Sequence, residues 1–181
     1  KKRDRRSFRK QGTKSCTVKH WRITEREANM TAIHSDAQFR AALAGLSVEQ
    51  QRRVGKRFLD NISELSDNPK LEKSLALLEG PEVSDQDIAD AFRVASTAAR
   101  DSYTLCGREA DWRRQASHFF AAAATACLGA TDKEGQDQEL AWTTAMNARM
   151  ARTCLAADSE EDTHDSESRA QYQILTRYLD A

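Results

Sequence analysis

Apolar residues recur along this chain at intervals of three and four, the spacing that places side chains on one side of an α-helix. The clearest such run comprises Val54, Phe58, Ile62 and Leu65. It follows Ser47 and Gln50, which have the spacing of a capping box and predict a helix start. Because only seven glycines and two prolines interrupt 181 residues, the pattern favours long helices over many short strands.

Further start signals divide the rest of the chain. Ser35 with Gln38 predicts a second capping box, and the segment Thr24–Glu27 (TERE) predicts a third. Pro69 suits the first turn of a short helix, and Ser84 is the expected cap of the next one. Together these signals predict about six to seven helices.

The longest helical patterns lie in the second half of the chain. They run from about Glu109 to Leu128 and from about Gln138 to Ala157, and both are rich in alanine, whose small side chain lets helices pack closely. The acidic stretch 158–168 is predicted as a loop before a final helix. We therefore predict an all-α fold, an irregular bundle around a long alanine-rich antiparallel hairpin.

The charge pattern divides the chain differently. Residues 1–29 contain eleven basic and three acidic residues, whereas the remainder contains seventeen basic and twenty-five acidic ones, so the net charge of zero hides a basic arm on an acidic body. Residues 1–15 are too charged and too poor in apolar groups to fold alone. We expect residues 1–23 to form a partly disordered or extended arm and residues 24–181 to form one helical domain.

The arm is a candidate surface for nucleic acid or an acidic partner. Its candidate residues are Arg3, Arg5, Arg6, Arg9, Lys10, Lys14 and Trp21. Lysine and arginine contacts to phosphates release counterions, and a tryptophan can stack on a base. The competing interpretation is a solubilising tail that docks on the protein's own acidic segment.

Cysteine and histidine raise the question of a metal or redox site. The weak candidates are Cys106, Cys127, Cys154 and His118. The paired spacing of zinc and iron–sulfur ligands is absent, and helical geometry turns His118 away from the face of Cys106 and Cys127. We interpret the cysteines as reduced thiols packed in the hairpin and predict no metal and no cofactor, with a redox or metal-binding helical protein as the second alternative.

Catalysis is not indicated. The chain has no GxSxG, HExxH, P-loop or dinucleotide-binding motif. Ser117 and His118 are adjacent on a helix and point about 100° apart, so they cannot pair with each other as nucleophile and base. The single ExxH of Glu161 and His164 lies in an acidic run, whereas di-iron bundles use two such motifs. We assign no catalytic residues and favour a protein that is not an enzyme.

The third long helix has an unusually wide apolar surface. Trp142, Met146 and Met150 share one stripe, next to a second stripe of alanines. Such a helix is either central in the bundle or uses its second face for a partner. We therefore predict these three residues as partner-binding.

The resulting expectation is a non-catalytic adaptor, regulatory or accessory protein of a bacterial-type cytoplasm, acting through helix surfaces on a protein partner or on a second copy. A nucleic-acid-associated protein that uses the arm is the alternative. No membrane segment is expected, since no run of about 18 apolar residues occurs. RRSFRK (5–10) resembles a twin-arginine export signal but lacks the apolar stretch that should follow it, which favours a cytoplasmic protein.

Overall fold

The computed structural model describes residues 32–80, 83–106, 111–129, 139–157 and 164–181. Residues 32–181 form one compact unit. The α-helices in the described ranges are α1 (Asp36–Ala44), α2 (Val48–Asp60), α3 (Pro69–Ala76), α4 (Asp85–Cys106), α5 (Trp112–Cys127), α6 (Leu140–Ala156) and α7 (His164–Leu179), and 3₁₀ turns cover Ser63–Leu65 and Leu77–Glu79. The predicted all-α bundle is confirmed. No helix in these ranges is long and apolar enough to cross a bilayer.

The first two helices begin at the predicted serine caps, and the capping box of α2 is complete. The Ser47 hydroxyl accepts the backbone N–H of Gln50 (3.2 Å), while the Gln50 side chain accepts the N–H of Ser47 (2.9 Å). Ser35 caps α1 by accepting the N–H of Gln38 (3.3 Å), but the Gln38 side chain accepts the N–H of His34 (3.0 Å) and not that of Ser35, so only half of this predicted box is formed. These bonds satisfy amide groups that have no partner inside the helix.

The next two helices also start where local signals place them. Pro69 occupies the first turn of α3, after the Asn68 side chain, which accepts the N–H groups of the first turn. The Ser84 hydroxyl accepts the N–H of Asp87 (3.1 Å) at the start of α4. Local chemistry therefore explains these boundaries without tertiary contacts.

Helices α5 and α6 form the antiparallel hairpin around which the other helices pack. The end of α5 lies beside the start of α6, where a Cβ at Gly129 would be 3.1 Å from Leu140 Cδ2. The buried alanines of the pair are Ala116, Ala121, Ala123, Ala124, Ala141, Ala145, Ala148 and Ala151. Small side chains allow the close approach of helices, so the predicted alanine-rich hairpin is confirmed.

Two hydrophobic clusters make up the core, and α6 contributes to both. The larger one lies among the end of α2, α3, α4, α5 and one side of α6. The smaller one joins α1, α2, α6 and α7 around Phe39, Phe58 and Leu175, which are fully buried. The ring centroids of Phe39 and Phe58 are 5.6 Å apart. α6 is thus the central helix of the bundle.

Two aromatic side chains that continue the apolar spacing of their segments are exposed. Tyr103 on α4 is 69% exposed and Trp112 at the start of α5 is 40% exposed. The buried positions of α4 are Ile88, Ala91, Ala95 and Ala98. Because α4 packs against the alanine-rich α5, alanines rather than rings occupy the contact, and the buried face of α4 turns away from Tyr103.

The predicted loop at 158–168 is wrong in its second half, because α7 begins at His164. Glu167, Gln171 and Leu175 follow one another at intervals of four and are all buried. Their spacing is that of one helix face, but two of the three side chains are polar. A search for apolar periodicity therefore overlooks this first part of the helix.

Candidate functional site

The stripe of Trp142, Met146 and Met150 lies on the outward side of α6. The residues that α6 buries are Leu140, Ala141, Thr144, Ala145, Ala148, Ala151 and Cys154. At about 100° per residue, the stripe lies on the opposite side of the helix from them. Trp142 and Met146 are partly buried, and Met150 is 47% exposed. We call this surface the outer face of α6.

The Trp142 side chain packs against residues of α1. Its ring centroid is 6.1 Å from that of Phe39, and the guanidinium of Arg40 lies 5.4 Å from the ring centroid, within range of a cation–π contact. Arg40 is held in turn by two hydrogen bonds to Glu139 of 2.7 and 2.6 Å. These contacts hold the Trp142 side chain against α1.

No exposed position of α6 holds a charged residue. The helix contains two charged residues, Arg149 and Arg152, whose side chains are 11% and 22% exposed and form ion pairs with neighbouring elements. Thr143, Asn147 and Thr153 occupy outward and flanking positions. Asn147 donates to the carbonyl of Thr143 (2.9 Å), and Thr153 donates to that of Arg149 (2.9 Å). The side chains of Asn147 and Thr153 therefore bond to carbonyl groups of their own helix.

Arg149 joins three helices beneath the outer face. Its Nε donates to Gln171 Oε1 (2.8 Å) and its Nη1 donates to Asp36 Oδ1 (2.7 Å). The Tyr172 hydroxyl donates to the same Asp36 oxygen (2.7 Å). The guanidinium carbon lies 5.6 Å from the ring centroids of both Phe39 and Tyr172. This network ties α1, α6 and α7 together.

Glu167 is the buried acid of the same region and was missed in the sequence, where it belongs to the acidic run. It is 3% exposed. Its carboxylate accepts from Asn61 Nδ2 (2.9 Å) and Gln171 Nε2 (3.0 Å), and Arg152 Nε lies 3.6 Å away. Burial raises the pKa of Glu167 above its ordinary value. The three partners belong to separate parts of the chain, so the acid stabilises the packing of α7.

Cys127, a candidate metal or redox residue, is a buried thiol at the contact of α2 and α5. It donates to the carbonyl of Arg52 (3.3 Å), and burial raises the pKa of its thiol to about 12. Thiolate is the form that binds metals and attacks disulfides, and this environment disfavours it. The chemistry of this position is therefore that of a packed core residue.

The register of the hairpin separates Cys127 from Cys154. Thr144 donates to the carbonyl of Ala123 (3.4 Å), which sets the two helices level at these residues. With a rise of 1.5 Å per residue, the two cysteines lie roughly 20 Å apart along the hairpin. Among the described residues, no three His, Cys, Asp or Glu side chains cluster closely enough to hold a metal. The side chain of Cys106 lies outside the described residues.

The His118 side chain contacts a serine on another helix, and the spacing of residues in the sequence does not reveal this contact. Its Nδ1 is 3.1 Å from Ser102 Oγ and 3.1 Å from the carbonyl of Ala99. A carbonyl only accepts, so the contact with Ala99 is a hydrogen bond when the ring carries its proton on Nδ1, and the Ser102 hydroxyl donates to the carbonyl of Ala98 (2.8 Å). These contacts link α4 to α5.

The candidate residues of the basic arm, Arg3 to Trp21, and the helix predicted to start at Thr24 lie outside the described residues. Glu161 and the side chain of His164, which form the single ExxH motif, lie outside them too. No protein-family model matches the chain, and no curated protein and no solved structure is significantly similar to it.

Proposed function

We propose that this chain is a non-catalytic adaptor, regulatory or accessory protein that binds a protein partner, or a second copy of itself, through the outer face of α6. The observation that supports the proposal is the apolar stripe of Trp142, Met146 and Met150 on a highly charged chain, in which Met150 is 47% exposed while Trp142 and Met146 are partly buried against the smaller cluster. Aromatic residues and methionine are enriched in interface cores, and charged residues are depleted there. Methionine adapts its shape to different contacts.

The basic arm has a supporting role in this proposal. Residues 1–29 carry an excess of eight positive charges, which accelerates encounter with an acidic partner by long-range attraction. The apolar outer face then supplies the short-range contact. A cytoplasmic location accords with Cys127 being a buried thiol and not part of a disulfide.

The test places a charge on the outer face without touching the core. Met150→Glu introduces a carboxylate at a 47% exposed position, where it stays hydrated in the unbound chain and must be desolvated in a complex. Ala89→Glu, at an exposed position of α4, is the matched control. We expect both variants to keep the circular dichroism and urea midpoint of the wild type, and Met150→Glu alone to weaken association.

Association is measured in two steps. Sedimentation velocity of the full chain detects self-association, which Met150→Glu should weaken and Ala89→Glu should not. If the chain is monomeric, a photo-crosslinking amino acid at position 150 or 89 is used in the native host. Adducts formed from position 150 and not from position 89 are the expected result. Identical behaviour of the two positions in both assays would refute the proposal.

A second function rests on the arm alone. We propose nucleic-acid association as the alternative because ten of the eleven basic residues in the first 29 precede position 23, which matches the electrostatic footprint of phosphate binding. Binding to a single-stranded oligonucleotide should then weaken steeply with salt, with a slope of roughly −0.7 per phosphate contact. A chain lacking residues 1–23 should lose this binding, and equal binding by the shortened chain would exclude the arm as the site.

A further inference from the structure

A cleft lies where α2 and the first half of α4 meet the end of α5. Its volume is about 650 Å³, within the roughly 300–1,000 Å³ typical of small-molecule sites. Arg52 and Asp85 line it, together with an apolar wall of Ile88, Ala89, Phe92 and Leu128. The cleft thus combines a cation, an anion and apolar surface.

Arg52 is a partly buried cation with incomplete hydrogen bonding. Its Nη2 donates to the carbonyl of Gly129 (2.9 Å), whereas its Nε is buried without a partner. Its Nη1 has no bond to the described part of the chain either. Burial lowers the pKa of this guanidinium below its usual range, which indicates that its surroundings compensate the cation poorly. Nη1 therefore offers a charged donor to a carboxylate in the cleft.

Asp85 is the carboxylate that lines the same cleft. It lies in the first turn of α4 and is exposed. Its charge acts on Arg52, but the two side chains form no direct ion pair. Within the described ranges, the Asp85 side chain makes no other hydrogen bond or ion pair. Its carboxylate oxygens are therefore open to a donor from a ligand.

The neighbouring charges are paired with one another. Arg93, which also lines the cleft, forms an ion pair with Asp90. On α2, Arg53 pairs with Glu49, and Lys56 pairs with two carboxylates. Arg52 and Asp85 thus differ from these neighbours, since each faces the cleft without an ion-pair partner in the described structure.

The apolar wall of the cleft retains accessible surface. Ala89 is exposed and Phe92 is partly exposed, while Ile88 and Leu128 are buried. A ligand that covers Ala89 and Phe92 removes apolar surface from water, which favours binding.

We propose that this cleft binds a free α-amino acid with an apolar side chain. The carboxylate of the ligand would accept from Arg52 Nη1, and its ammonium would donate to Asp85. Its side chain would cover Ala89 and Phe92. A zwitterion complements both charges at once, whereas a simple anion would face Asp85 and a simple cation would face Arg52. The site is separate from the outer face of α6.

The experiment uses three probes that share a phenyl body. They are L-phenylalanine, 3-phenylpropanoate, which lacks the ammonium, and 2-phenylethylamine, which lacks the carboxylate. Each is titrated into the full chain and followed by backbone amide NMR shifts. We expect saturable binding of L-phenylalanine, with shifts concentrated at Ala89, Phe92 and Leu128. Each of the other two should bind about fivefold more weakly, as the loss of one partly exposed ion pair implies.

Two variants remove one charge each and should affect different probes. Arg52→Gln should weaken L-phenylalanine and 3-phenylpropanoate about fivefold and should not weaken 2-phenylethylamine. Asp85→Asn should weaken L-phenylalanine and 2-phenylethylamine by a similar factor and should not weaken 3-phenylpropanoate. This crossed pattern identifies which end of the ligand each side chain binds.

Arg53→Gln and Asp87→Asn are the matched controls. Arg53 follows Arg52 on α2 and pairs with Glu49, and Asp87 shares the first turn of α4 with Asp85. Neither control residue lines the cleft, so both variants should bind all three probes as the wild type does.

Three outcomes would overturn the proposal. These are the absence of saturable shifts with millimolar L-phenylalanine, equal affinity of the wild type for all three probes, and effects of the control variants equal to those of Arg52→Gln and Asp85→Asn. The comparison of probes on the wild type decides the charge requirement even if Arg52→Gln fails to fold. Shifts centred outside the cleft would also refute it.

Discussion

Gly55 lies in the middle of α2, next to residues of both helices of the α5–α6 hairpin. A Cβ at this position would be 3.0 Å from Cys127 Sγ and 3.6 Å from Thr144 Cγ2. Cys127 is fully buried and its thiol donates to the carbonyl of Arg52 in α2. Gly55→Ala therefore adds a methyl group too close to Cys127 Sγ. The buried Cys127 side chain has little room to move away.

Two opposing terms set the magnitude. Alanine is better than glycine inside a helix by about 1 kcal/mol. Overpacking of a tight core costs about 1–3 kcal/mol. We expect Gly55→Ala to lower the free energy of unfolding by about 0–2 kcal/mol, the sum of these two terms.

The Cys127→Ala background separates the two terms. Removal of Sγ eliminates the close contact, and the new methyl group occupies part of the space that the sulfur leaves. In this background Gly55→Ala should raise the free energy of unfolding by about 1 kcal/mol, the helix-propensity term alone. The coupling between the two substitutions should then be about 1–3 kcal/mol, in the range of contacting residues.

Urea denaturation of the four chains gives the midpoints, and an unchanged m-value shows that the surface exposed on unfolding is the same. The double-mutant cycle is then read from the free energies. If Gly55→Ala changed the free energy of unfolding equally with and without the Cys127 thiol, the close contact with Sγ would not be what disfavours a side chain at position 55. The account of helix packing given above would then be wrong.

Three other predictions concern single side chains. Ser47→Ala removes the capping box of α2 and should cost about 1 kcal/mol in urea denaturation, whereas Ser74→Ala, at a hydroxyl that bonds its own helix, should be nearly neutral. Burial raises the pKa of Glu167 above the 4.5 of an unperturbed glutamate. Because the folded chain then holds this proton to higher pH than the unfolded chain does, the wild-type free energy of unfolding should fall as pH rises from 4.5 through the folded-state pKa. Glu167→Gln should lack this dependence of the free energy of unfolding on pH. The pKa of Cys127 is raised to about 12, so a thiol reagent near neutral pH should label it only as fast as the fold opens, and labelling at the rate of an exposed thiol would contradict its burial.

The parts of the fold that sequence predicts well are those set by local chemistry. Ser35, Ser47 and Ser84 each mark a helix start because the cap and its amide partner are three residues apart. The alanine-rich hairpin is predictable for a related reason, since small residues at regular spacing indicate close helix contacts.

The sequence-based predictions fail where contacts between residues distant in sequence determine the structure. Glu167 is indistinguishable from the acids before it until Asn61 and Arg152 are brought to it from other helices. Tyr103 follows an apolar period, but the face of α4 that is buried depends on the shape of α5. The contact between Ser102 and His118 joins residues of two helices, and no linear motif records it.

α6 can be the central helix of the bundle and also a partner-binding helix. The contacts on its buried side determine which of its side chains remain on the outward side. Arg149 and Arg152 direct their charges into pairs with Asp36 and Glu64, and so keep them from the outer face. Alanines fill the buried side, which leaves the large apolar side chains for the outward side. A charge at Met150 therefore tests the surface without disturbing the core, whereas loss of Arg149 would alter both at once. For this reason, only substitutions on the outward side can separate the proposed function of α6 from its role in the fold.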